Sequence, residues 1–196
     1  MKRAADFCTG LRILLAPILA WQLGVPRDHG AVAAFWVFVI AAATDYVDGA
    51  LARASGTASR QGRVFDHGAD ALLLFPAFLV VAGDGRLPFV LPLAAMTSFA
   101  LYVVEGWRRG GSLATIELGG SRSGAVGGVL NYVIAAAVVT AGVLDARWLD
   151  QGVYAAAYAV AAVNAASAFE RAPLLLMPAR GSRAVGKEAR APRSSP

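Results

Sequence analysis

Cysteine is all but missing. Cys8 stands alone, so no internal disulfide framework can form, and the chain suits a reducing or redox-indifferent setting. Charge is sparse as well, at 16% of residues against 57% hydrophobic ones. A soluble domain of 196 residues has too little interior to hide that much apolar surface. Lipid is the natural solvent for the excess, and the expected class is a polytopic, all-α membrane protein. No internal repeat is present. Glycine pairs such as "GAVGG" are read as allowing close helix packing rather than phosphate binding. No nucleic-acid partner is expected.

What is there in abundance is apolar sequence. Six segments of about the ~20 residues a bilayer core demands cover 9–25, 30–53, 66–82, 87–107, 124–144 and 151–170. The N-terminus, "MKRAADFCTGLRILLAPILA", has the basic start and apolar run of a signal peptide. It shows no small-residue cleavage site, so it is kept as a span. Pro17 falls inside it, which a membrane helix tolerates. Of the 18 Lys and Arg, Arg27, Arg86 and Arg147 lie in one set of links, and the other fifteen lie on the opposite side with both termini. The positive-inside rule places those fifteen in the cytoplasm. An even number of spans then follows, and six is even. The expected organisation is a membrane domain over 1–177 and a basic, disordered cytoplasmic tail over 178–196, in the cell (inner) membrane.

Against this background, the stretch "TDYVDGALARASGTASRQGRVFDHGAD" stands out. Asp45 and Asp48, three apart, share one helix face near the end of the second span. Asp66 and Asp70, four apart, share another where the third begins. With a link of thirteen residues over 53–65, the two helix ends can sit side by side and bring four carboxylates into one pocket. An acidic side chain in a span costs on the order of 3 kcal/mol, and like charges repel. Arginines in the link offset part of this, but hard oxygen ligands in a cluster point to Mg²⁺ or Mn²⁺. No cysteine or second histidine lies close enough for zinc. His67 is read as an interfacial histidine rather than a ligand. Gly49 and Ala52 remove bulk beside the acids, and the planar fork of Arg53 can grip a phosphate. With the hydroxyls of Thr57 and Ser59 and the flexible Gly56 and Gly62, the stretch reads as a diphosphate site.

Written out, the pattern is Asp45-x2-Asp48-Gly49-x2-Ala52-Arg53-x8-Gly62-x3-Asp66-x3-Asp70. It resembles the signature of the CDP-alcohol phosphatidyltransferases, with all eight fixed residues met over 26 positions. The opening "DFCTGLRILLAP" is similar to the family's N-x-x-T-x-x-R, with Thr9 and Arg12 in place and Asp6 where Asn is usual. The resemblance implies six spans, cytoplasmic termini and a homodimer. It also implies transfer of a phosphatidyl group from a CDP-linked lipid, usually CDP-diacylglycerol, to an alcohol with release of CMP. Asp45, Asp48 and Asp66 would hold two metal ions. Asp70 would complete the metal site and accept the proton of the attacking hydroxyl. Thr9, Gly49, Arg53, Ser59 and Gly62 would serve the substrate side.

The acceptor is less legible. Glycerol 3-phosphate needs cations near the pocket, which Arg108, Arg109 and Arg122 are placed to supply. Members of the family using that acceptor typically carry a "G-K-x-K-T" patch, where this chain has "GGSRSGAVGG". Inositol phosphate, serine and phosphatidylglycerol are the alternatives. Glu105 is expected to pair with Arg108 or Arg109 rather than touch the acceptor. Asn131 and Asn164 are expected to hydrogen-bond between helices. The competing class is a divalent-cation transporter, whose carboxylates belong near the bilayer midplane rather than at one edge.

Overall fold

The computed structural model describes the backbone of residues 2–54, 60–110 and 122–176, and the side chains of 10–47, 50, 66–108 and 122–173. Six helices, and no strand, make up the described residues. They are α1 (Lys2–Gly24), α2 (Arg27–Ala54), α3 (Arg60–Gly83), α4 (Val90–Gly110), α5 (Arg122–Leu144) and α6 (Arg147–Leu176). Five contain a stretch long and apolar enough to cross a membrane: Arg27–Val47, Asp66–Gly83, Val90–Arg108, Arg122–Leu144 and Arg147–Pro173. The apolar part of α1, Gly10–Gly24, is shorter.

The all-helical class is as expected, but the helices overrun the apolar segments. α1 starts at Lys2, α2 continues to Ala54 and α3 begins at Arg60, so most of the expected link over 53–65 is helical. Hydropathy alone misses the starts of α1 and α3 because "KRAADF" and "RQGRVF" are too polar for a span, although the Lys, Arg, Ala and Gln in them favour a helix. The tail over 178–196 lies outside the described residues.

α1 packs on α2 and α3, α4 on α6, and α5 on α6 and α2. Lipid is as apolar as leucine, so helices in it associate through close van der Waals fit, which small residues permit. The seams show this, with Ala16, Ala34, Ala41, Ala77, Ala135 and Ala157 buried between Leu19, Leu73, Phe78 and Leu91. Leu14, Trp21, Trp36, Leu93 and Val129 stay on the outside, where lipid would meet them. Pro17, Pro76 and Pro173 lie within helices without ending them.

Arginines tie one end of the bundle. Arg27 makes a fork-to-fork pair with Asp150 at 2.8 and 2.6 Å, joining the starts of α2 and α6. Arg86 donates to the Leu23 carbonyl at 2.5 Å, holding the α3–α4 turn on the last turn of α1. That turn closes through Gly85, at φ +72°, with the Arg86 amide bonded back to the Val81 carbonyl at 3.0 Å. At the α1–α2 corner, the first amides of α2 bond to the Pro26 carbonyl. Gly30 is buried there, and a Cβ on it would stand 2.2 Å from the Gln22 carbonyl oxygen and 2.3 Å from Val25 Cγ2. Gly30→Ala must therefore push two helices apart. It should cost about 1–3 kcal/mol, read as a lowered thermal midpoint in detergent; an unchanged midpoint would show that the corner is not packed this closely.

Candidate functional site

From Arg27 at the tied end, Asp45 lies eighteen residues along α2, about 27 Å at the helical rise. That is close to the full ~30 Å of a hydrocarbon core, so Asp45 belongs to the opposite edge. Asp66 and Asp70 sit in the early turns of α3, on one face by their spacing. What gathers them is a side chain from α1. Arg12 is 0% exposed, with Nη1 at 2.7 Å from Asp45 Oδ1 and 2.5 Å from Asp70 Oδ1, and Nη2 at 3.2 Å from Asp66 Oδ1. Its Nε is buried without a partner among the described residues, so the terminal nitrogens make the whole connection. The three carboxylates, themselves partly exposed, explain how the fully buried guanidinium is kept there: an uncompensated buried charge costs several kcal/mol.

Arg12 was the residue the acid spacing alone did not find. It lies in "LRILLAP", 33 positions before Asp45, and entered only through the resemblance of the first span. The signal in the sequence is a single arginine inside an apolar run, which is expensive unless it meets acids. Tyr132 of α5 was missed as well; its hydroxyl donates to Asp70 Oδ1 at 2.5 Å.

Beside the acids lies a cavity of about 480 Å³, with Asp45, Asp70 and Tyr132 in its lining and Arg171 of α6 in the same lining. Arg171 is 4% exposed and donates from Nε to Glu105 Oε2 at 3.1 Å. Its Nη1 donates to the Ser167 carbonyl at 2.7 Å and also to the Ser167 hydroxyl, and its guanidinium stands 5.6 Å from the centre of the Tyr102 ring. Glu105 thus has a partner 66 positions away on another helix, one that local spacing does not suggest. His67 stacks on Tyr102 with ring centres 5.7 Å apart and faces the cavity. The expected interhelical bonds of Asn131 and Asn164 are present as a reciprocal amide pair, at 3.2 and 3.0 Å.

Other expected residues fall less centrally or outside view. Arg108 is in the last turn of α4, Arg122 begins α5, and among the described arginines the cavity is lined by Arg171 rather than by these two. The backbone of Thr9, Asp48, Gly49, Arg53, Gly62 and Arg109 is helical, but beyond that these positions lie outside the described residues, as does all of Ser59.

The donor chemistry suits a hard cation. When ionised, the three carboxylates exceed the one guanidinium in charge, and every donor is oxygen, the set that Mg²⁺ or Mn²⁺ takes. Among the described residues the acids are gathered on Arg12 rather than disposed as a ligand shell.

Comparison with known proteins points the same way. A family model described as CDP-alcohol phosphatidyltransferase matches residues 2–169. The chain is also similar to a CDP-diacylglycerol–glycerol-3-phosphate 3-phosphatidyltransferase of Pseudomonas fluorescens, 38% identical over 92 residues. That alignment covers 46% of this chain and 47% of the relative, so the chain spans about half the length of the curated relative it matches. With its family match running through all six helices, this chain belongs to the CDP-alcohol phosphatidyltransferase family.

Proposed function

We propose that the protein transfers the phosphatidyl group of CDP-diacylglycerol to an alcohol acceptor, releasing CMP, with glycerol 3-phosphate as the acceptor. The observation that carries this reading is the meeting of Asp45, Asp66 and Asp70 at Arg12, beside a cavity that also contains a buried arginine. An alcohol is a weak nucleophile at neutral pH and needs a carboxylate within hydrogen-bond reach. In this reading Asp70 takes the hydroxyl proton as the acceptor oxygen bonds to the lipid-side phosphorus. The bond from that phosphorus to the CMP oxygen breaks, and CMP leaves with the electron pair. Asp45, Asp48, Asp66 and Asp70 would hold two Mg²⁺ or Mn²⁺ ions, which supply charge stabilisation at the phosphate oxygens when bound. Thr9, Gly49, Arg53, Ser59 and Gly62 are assigned to the nucleotide side.

Arg171 supports a phosphorylated acceptor. A buried guanidinium anchored by Glu105 presents rigid donors suited to a phosphate, and it lies in the cavity that holds Asp70. The name of the Pseudomonas relative agrees. Arg108, Arg109 and Arg122 would then draw the anion toward the site. We further propose that six spans cross the inner membrane, with both termini and the reacting groups on its cytoplasmic side, and that a homodimer is the working unit.

The test is an acceptor screen in lipid vesicles with labelled CDP-diacylglycerol, the product being identified by mass. Glycerol 3-phosphate should give phosphatidylglycerophosphate and CMP. In the same assay Arg171→Lys, which keeps the charge and loses the fork, should raise the KM for glycerol 3-phosphate about tenfold, the loss of one good charged contact. Turnover with serine or phosphatidylglycerol instead would replace the acceptor while leaving the chemistry in place.

A further inference from the structure

The four acids of the motif look interchangeable in sequence, yet only one is assigned to take a proton. Arg12 does not distinguish among the three whose side chains are described, since it reaches Asp45, Asp66 and Asp70 alike. Tyr132 does: its hydroxyl donates to Asp70 Oδ1, the same oxygen that Arg12 Nη1 meets. Among the described residues both contacts of Asp70 therefore fall on Oδ1, and neither uses Oδ2. Asp70 and Tyr132 share the lining of the cavity.

We infer that Tyr132 is a positioning residue for Asp70: together with Arg12 it locks one carboxylate oxygen, so that the other is presented to the acceptor hydroxyl. The inference rests on the reading of Asp70 as the proton acceptor. A carboxylate held at one oxygen by two donors from different helices cannot turn about its Cβ–Cγ bond without breaking both bonds. The proton-accepting lone pair thereby has a fixed direction, which proton transfer in an ordered complex requires.

The aim of Tyr132 is itself built into the bundle. The adjacent residue, Asn131, forms the reciprocal amide pair with Asn164, fixing the rotation of α5 against α6. Gly127, one turn earlier, lets the helices approach: a Cβ there would stand 3.1 Å from Asn164 Oδ1. Successive residues on a helix point about 100° apart. Clamping Asn131 toward α6 therefore directs Tyr132 away from α6, toward α2 and α3. There its ring packs on Phe38, with centres 6.2 Å apart.

The experiment is Tyr132→Phe in the full-length protein, with kcat and both KM values measured in vesicles beside the wild type. The same change is also made in the Asp70→Asn background. Expected are a fall in kcat of about tenfold to a hundredfold, the range for groups that orient a reacting side chain, KM values within about twofold, and a thermal midpoint lowered by only a few degrees, since Asp70 Oδ1 keeps Arg12. In the Asp70→Asn background the tyrosine change should add no further loss, because the carboxylate it serves is gone. An unaffected kcat in Tyr132→Phe overturns the assignment. So does a full additional loss on top of Asp70→Asn, which marks a structural role, or full rescue by saturating Mn²⁺, which marks a role in metal retention. A wild type that releases no CMP with any acceptor overturns the underlying reading, and the positioning role falls with it.

Discussion

Asp70→Asn should lower CMP release from CDP-diacylglycerol by about 10²–10⁴-fold, the usual contribution of a general base, while the protein folds and inserts as before. The replacement is nearly isosteric. An amide oxygen can still accept from Tyr132 and Arg12, so the hydrogen bonds that join α3 to α1 and α5 keep a partner. What the amide cannot do is take up the acceptor's proton. The expected signature is a collapse of kcat with a thermal midpoint within a few degrees of wild type. Turnover retained in this variant would remove Asp70 as the base. Metal flux into vesicles without any nucleotide product would favour transport instead.

The largest effect on stability is expected at Arg12. Arg12→Met leaves Asp45, Asp66 and Asp70 facing one another without the buried guanidinium that meets all three. Removing one partner of a fully buried ion pair costs about 3–5 kcal/mol; here Arg12 is buried but Asp45 and Asp66 are 41% and Asp70 24% exposed, so water offsets part of that loss. The variant should give a poor yield and a much lower midpoint. Arg12→Lys should be intermediate, because a single ammonium keeps the charge and loses the planar fork that reaches acids on α2 and α3 together. Added Mn²⁺ should raise the midpoint of Arg12→Met more steeply than that of wild type, since an ion bound by the folded acids stabilises them by mass action. If Arg12→Met is as stable as wild type, the three carboxylates are not held by this arginine.

Much of the fold was legible in the chain because a bilayer imposes a simple rule on sequence. Backbone groups in lipid must be satisfied within the segment, so a long apolar run is read as a helix almost without regard to its neighbours. The runs over 30–53 and 124–144 each lie within a helix of the structure, and that over 87–107 does so from Val90. Helix ends were less legible. At "KRAADF" and "RQGRVF" the residues are too polar for a span, yet Lys, Arg, Ala and Gln among them favour a helix, and the helices run through them.

The candidate site divides in the same way. The spacing of Asp45 with Asp48, and of Asp66 with Asp70, puts each pair on one helix face, because helical periodicity is a local property. That spacing alone did not name the cation between them. Arg12 reaches the acids across 33 to 58 positions of chain, Tyr132 reaches Asp70 across 62, and Arg171 meets Glu105 across 66. By itself, the sequence determined an all-helical, lipid-suited chain with an acidic motif at one helix edge. Only the tertiary structure decided which arginine gathers the acids, which hydroxyl singles out Asp70, and which cavity they share. The physical reason is that hydrophobic periodicity is written in neighbouring residues, whereas compensation of buried charge depends on which helices pack together.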